Sequence, residues 1–214
     1  MTAAVADRAQ IMRWLEAERR SIADLLESLE PQQWSERSAC SEWTIHQLAA
    51  HITTSTGDTV LATVRGLIRA RGDWNRMNAR AAIDIAAQSS PPQVIARIRE
   101  TAASPRRAPG AAPIDPLVDM LVHGQDVAMP LGIARAMPVE PAVAALDHVA
   151  RSRFYPGRKA FRGLRVVAED ADWSAGEGDE VRAPVSALLL AATGRPAALD
   201  AAAGPGVAAL RSRL

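Results

Sequence analysis

The sequence predicts a mainly α protein, a four-helix bundle followed by a small α+β C-terminal domain. Three observations carry this. Apolar residues recur at helical spacing through most of the chain up to about position 150; Pro, Gly and capping residues punctuate those runs; and from Phe154 the texture changes to a short β-like stretch between Gly-containing turns. The 214 residues suffice for a main domain of about 150 residues with an appendage, so the expected domains are 1–153 and 154–214. With 25 basic and 24 acidic residues the chain has no global field to draw it onto nucleic acid or an anionic membrane. A small-molecule role gains by default. Cys40 is the only cysteine, which excludes an internal disulfide and suits a reducing compartment. Residues Met1 to Gln10 lack a basic region followed by an apolar core, and no stretch approaches the roughly eighteen apolar residues of a membrane span, so the expectation is a soluble, cytoplasmic protein. Monomer and homodimer are both open.

The first helix is expected over about Ala6 to Leu29, where Ile11, Trp14, Leu15, Ile22, Leu25, Leu26 and Leu29 keep helical spacing until Pro31. Arg13, Glu16, Arg19, Arg20 and Asp24 fill the remaining circumference, as on an outer bundle helix. The second helix begins at Thr44, because Thr44 and Gln47 fit a reciprocal capping box and Trp43 can staple onto Leu48. Its inner stripe of Ile45, Leu48, Ala49 and Ile52 continues through Val60, Leu61, Val64, Leu67 and Ile68 to Gly72. His51 lies near the edge of the buried side, where an imidazole needs a partner, while His46 points well away around the helix. Residues Asp73 to Ser90 fit a short helix or a loop, and Val94, Ile95 and Ile98 mark another helix after Pro91. An irregular connection follows from Ser104 to Pro113, whose Arg106 and Arg107 read as solvated.

The helix from Asp115 to Gly132 carries the chemistry. Asp115 suits a cap, Pro116 the first helical position, and Pro130 stops the run. At about 100° per residue, Leu117, Val118, Leu121, Val122 and Met129 form one stripe, with Asp119, His123 and Asp126 grouped on the other side. Asp119 and His123 are i and i+4 neighbours able to reach one ion; the bland alternative is a solvated face. A further helix is expected from Pro138 or Glu140 through Val149, completing the bundle. Beyond it, Gly163 to Glu169 reads as a strand, turns fall at Asp170–Asp172 and Gly176–Asp179 before Val181, Pro184 opens an apolar helix to Ala192, and the tail from Gly204 fits one more short helix. The Gly176 and Gly178 pair lacks the flanking strand and helix of a phosphate loop.

Taken together, Cys40-Ser-Glu-Trp-Thr-Ile-His-Gln-Leu-Ala-Ala-His51 and Asp119-x3-His123-x2-Asp126 resemble the mycothiol-dependent maleylpyruvate isomerase family, within the DinB-like superfamily. The resemblance implies a bundle holding a divalent metal, most often zinc, with ligands mapping onto His51, Asp119 and His123. It also implies a small C-terminal domain similar to sterol-carrier-protein folds, matching the stretch from Gly163 to Pro196. One departure is that the isomerase has Glu where this chain has Asp119, one methylene shorter, so Asp126 is kept as an alternative ligand or as the residue that orients one. The family's catalytic arginine from the C-terminal domain has a possible counterpart in Arg195.

Three protein ligands leave an open fourth position, as in catalytic zinc sites. The resemblance implies that mycothiol, as cosubstrate, ligates there as thiolate and attacks a small anionic electrophile, in an isomerisation or an S-transfer that the sequence does not separate. A guanidinium such as that of Arg195 suits a substrate carboxylate. Two other classes share the same ligands: a non-catalytic, metal- or small-molecule-binding stress-response protein, and a metal-dependent hydrolase using bound water.

Overall fold

The computed structural model describes residues 6–40, 43–57, 66 and 68–214. It is mainly helical with a small sheet near the C-terminus, the fold class expected. The described residues separate into two compact units, Arg8–Arg135 and Ala136–Leu214, the latter with Ala6 and Asp7.

In the first unit, α1 (Arg8–Glu27), α2 (Ile45–Gly57), α4 (Pro91–Glu100) and α5 (Asp115–Ala128) pack on one another, and α3 (Trp74–Gln88) lies along α2. Their shared core runs through Leu15, Ile22 and Leu26 of α1, Leu48 and Ile52 of α2, Val94 and Ile98 of α4, and Met120 and Val127 of α5. The start of α2 follows the expected chemistry: the Thr44 N–H donates to Gln47 Oε1 at 3.0 Å and the Gln47 N–H to Thr44 Oγ1 at 3.3 Å. The same reciprocal arrangement of Ser90 and Gln93 opens α4, and the Asp73 carboxylate caps α3 by accepting from the Arg76 N–H, so the ambiguous stretch after Asp73 is a helix. The expected continuation of α2 through Val60, Leu61, Val64 and Leu67 lies outside the described residues. Ile68, expected on the inner stripe, is 73% exposed, one turn before Arg71 and Gly72 reverse the chain with positive φ.

One charged residue of α1 departs from the sequence reading. Arg19, expected on the outer circumference, is 2% exposed; Glu18 beside it is also buried. Arg19 Nη1 donates to the carbonyls of Thr101, Ala102 and Ser104 at 3.2, 3.0 and 2.8 Å. These carbonyls lie at and beyond the end of α4, where helix geometry leaves them without donors and the dipole favours a cation. Burial draws the guanidinium pKa down to about 10, so it keeps its charge at neutral pH. Asp115 departs as well: it is the first residue of α5, and its Oδ2 accepts from the Ala112 N–H at 2.6 Å, back into the incoming chain.

In the second unit, which begins at Ala136, α6 (Val139–Arg151) packs on α8 (Val185–Ala192). The reason is apolar: α8 is buried along nearly its whole length and needs cover, which Ala142, Ala145, Leu146 and Val149 of α6 can give. A short α7 (Gly157–Ala160) precedes a sheet of order β2-β1-β3, in which β1 (Leu164–Ala168) is antiparallel to β2 (Ser174–Ala175) and parallel to β3 (Asp179–Ala183); α9 (Val207–Arg211) closes the chain. Gly176 has φ +74°, and a Cβ there would run into the Leu164 carbonyl, so this glycine serves a tight turn.

Replacing Arg19 by Met keeps the aliphatic stem but strands three carbonyls. Arg19→Met is expected to lower unfolding free energy by about 2–4 kcal/mol in urea denaturation. An unchanged midpoint would mean that water reaches those carbonyls.

Candidate active site

α5 is buried on every side. From Pro116 to Ala128 only Asp119 is half-exposed; His123 is 9% exposed and Asp126 fully buried. The face bearing Asp119, His123 and Asp126 is therefore not the solvated surface that its polarity allows, and each buried polar group needs a partner. His123 Nδ1 and Asp126 Oδ2 are 2.9 Å apart. A carboxylate accepts, so Nδ1 carries the hydrogen and Nε2 is the ring nitrogen left for another partner.

The main chain of Asp126 is engaged too. Its carbonyl would ordinarily accept from the residue four positions on, but that residue is Pro130, which has no N–H. The Ala39 N–H takes its place at 2.9 Å, tying the loop before α2 to the end of α5. That loop is held by the Arg37–Thr44 bridge, by the Ser38 N–H donating to the Trp43 carbonyl, and by the Ile45 N–H donating to the Glu36 carbonyl. It delivers Trp43, 8% exposed, into the same core cluster as Leu48. The Trp43 ring lies against His51, with centroids 4.7 Å apart and planes tilted by 38°.

His51 in turn meets His123 edge to face, with ring centroids 5.3 Å apart and an interplanar angle of 86°. Its Nδ1 is buried with no hydrogen-bond partner. Burial first, and then the neighbouring His123, push its pKa down from 6.5 to about 3, so the imidazole is neutral at physiological pH with a lone pair available. His46 is apart from this, as expected: its Nε2 donates to the Ser89 carbonyl at 3.0 Å and its ring meets Trp34.

A clasp on the far side of His123 holds α5. Arg135 Nη2 donates to Glu18 Oε2 at 2.7 Å and to Ser21 Oγ at 3.1 Å, and Gln125 Nε2 donates to the Arg135 carbonyl at 2.9 Å. The guanidinium lies so close to Gly124 that a Cβ there would come within 2.8 Å of Arg135 Cζ. Thus His123, Gly124, Gln125 and Asp126 each have a separate task.

Of the sequence-derived site residues, His51, His123 and Asp126 are brought together as linked pairs. Asp119 lies one turn before His123, half-buried and engaged in an interaction of its own. Among the described residues no group of three His, Cys, Asp or Glu side chains lies close enough to hold a metal ion. Arg195 belongs to the second unit, where its Nη1 donates to the Thr193 carbonyl. Cys40 is half-buried, and its carbonyl accepts from Ser38 Oγ. Sequence reasoning missed Arg135, Glu18 and the stack of Trp43 on His51. The signal for the clasp was Gly124 within an otherwise strong helix.

The bundle thus brings two imidazoles face to face in its interior, one of them oriented by a buried carboxylate. Residues 15–148 match the model of the mycothiol maleylpyruvate isomerase N-terminal domain, and the chain belongs to that family. Comparison with curated proteins finds no match. The solved structure of a mycothiol-dependent maleylpyruvate isomerase superposes with a TM-score of 0.63 at 13% identity, covering 94% of this chain and 93% of that one. A histidine-to-alanine variant of the isomerase gives 0.60 at 12% identity with the same coverage. At such identities the likeness concerns the fold. Among the described residues no helix is long and apolar enough to cross a membrane.

A neutral His51 has a consequence for acid stability. Its folded pKa of about 3 lies below its unfolded 6.5, so its contribution is full above pH 6.5 and is lost as pH falls from 6.5 towards 3, where the unfolded chain takes up the proton. For the metal-free protein, unfolding free energy of wild type is expected to fall more steeply between pH 6.5 and 4.5 than that of His51→Gln. Equal slopes in urea titrations at these pH values would contradict a neutral buried His51.

Proposed function

We propose that this protein is a metal-dependent, mycothiol-using enzyme of the isomerase type acting on a small anionic electrophile. The observation that carries the reading is the pair of facing imidazoles with uncommitted ring nitrogens: His51 Nδ1 lacks a partner, and Asp126 commits His123 Nδ1 so that Nε2 is left. Two imidazoles facing each other in a bundle interior fit a divalent metal, zinc foremost, though a nitrogen and oxygen set also admits nickel and similar ions.

His51 and His123 are the proposed nitrogen ligands and Asp119 the proposed acid ligand, its shorter side chain reaching the ion from the preceding turn of α5. Asp126 is assigned the orienting role through its hydrogen bond to His123. A metal held there would lower the pKa of a coordinated thiol and so supply a thiolate at neutral pH. The residues of the chain fix the tautomer of His123, keep His51 uncharged, and exclude water with Trp43 and the surrounding core. Arg195 is proposed to hold a substrate carboxylate, for which a guanidinium has matching geometry. With the thiol supplied from solution, Cys40 has no catalytic part. A cytoplasmic location belongs to the same proposal.

Metal analysis tests the centre: purified protein is expected to carry about one equivalent of divalent metal per chain, and zinc-reconstituted protein without bound metal would remove the proposal. His123→Ala should abolish tight binding, whereas Asp126→Asn should weaken it about 10- to 100-fold; the reverse order would make Asp126 the ligand. Calorimetric titration of zinc-loaded protein with mycothiol should show binding. Turnover that needs no thiol, with no mycothiol heat, would place the protein with the hydrolases instead.

A further inference from the structure

Trp43 carries an unmet donor that the reading above does not use. Its indole Nε1–H is buried without a hydrogen-bond partner, and the residue as a whole is more than nine-tenths buried. An indole nitrogen only donates, and leaving it unpaired in the interior is unfavourable enough that buried donors are nearly always matched. Trp173 in the second unit follows that rule, with Nε1 at 3.4 Å from Asp147 Oδ1. Phe at position 43 would pack the same core with no polar atom to satisfy.

Another unmatched nitrogen lies on the ring stacked against it. His51 Nδ1 is also buried and unpartnered, and its ring stacks on Trp43 at 4.7 Å. Two unpartnered nitrogens on stacked rings, the indole one necessarily a donor, are atoms whose hydrogen bonding a bound molecule would complete. The indole N–H suits an oxygen acceptor.

Resting on the proposed metal-centred function, we infer that Trp43 Nε1–H is a substrate-contacting donor that binds a carboxylate or carbonyl oxygen of the electrophile beside His51. Ala39 is tied to the Asp126 carbonyl, and Trp43, whose carbonyl accepts from the Ser38 N–H, reads the ligand. The donor confers selectivity for an oxygen-bearing electrophile over an apolar alkene of the same shape, because only the former pairs the indole.

The test uses full-length, zinc-treated protein with 15N-labelled tryptophan. Single Phe replacements at Trp14, Trp34, Trp74 and Trp173 assign the Trp43 indole signal by elimination, without touching the site. Maleate, a small cis-unsaturated dicarboxylate, is the probe. Its addition should move the Trp43 Nε1–H signal downfield, and Trp43→Phe should weaken maleate binding about tenfold with zinc content unchanged. A signal that stays in place, one that moves with mycothiol but not with maleate, or equal maleate affinity in a folded Trp43→Phe variant would each overturn the inference. Should Trp43→Phe fail to fold, the wild-type titration alone decides. Zinc content, measured on the same samples, judges the metal-centred function separately: an indole shift in zinc-free protein keeps the donor role and removes the metal.

Discussion

Asp126 is the residue through which both walls of the site are held. Fully buried, it spends its carboxylate on His123 and its carbonyl on Ala39. The second bond exists because Pro130 cannot supply the N–H that a continuing helix would, so one missing donor in α5 becomes the attachment point of a loop. Through that attachment the stop of one helix positions the start of another, and Trp43 meets His51 where α2 faces α5.

A helix with twelve of its fourteen residues buried, three of them polar, is an unusual object energetically. Removing His123, Gln125 and Asp126 from water is tolerable only because each finds a partner: Asp126 for His123, the Arg135 carbonyl for Gln125, and Ala39 with His123 for Asp126. The ion pair of Glu18 and Arg135 adds a charged clamp over Gly124, the one position in α5 bare enough to admit a guanidinium. Some buried nitrogens are unmatched, on Arg19 and Arg135 as on His51 and Trp43, and those of His51 and Trp43 lie on stacked rings.

Much of this was legible in the sequence. Periodicity and capping residues located the helices, and Thr44 with Gln47 marked the start of α2 to within a residue. His51 and His123 were found because imidazoles on apolar helices are conspicuous. What escaped notice depends on partners that leave no trace in a residue string. Arg19 is buried against main-chain carbonyls, Arg135 against a glycine and a distant glutamate, and β3 runs parallel to β1 through hydrogen bonds that any sequence can make. The membership of α6 in the second unit follows from the need of α8 for cover, which only the assembled structure makes visible.

The anchoring of Arg19 also bears on how such a chain can diverge. Its three acceptors are backbone carbonyls, a group common to every amino acid, so this contact itself places no demand on the side chains of Thr101, Ala102 and Ser104. Across descendants of this sequence the arginine would stay fixed with no covarying partner. A contact that holds two helices together would then be silent in any record of correlated change.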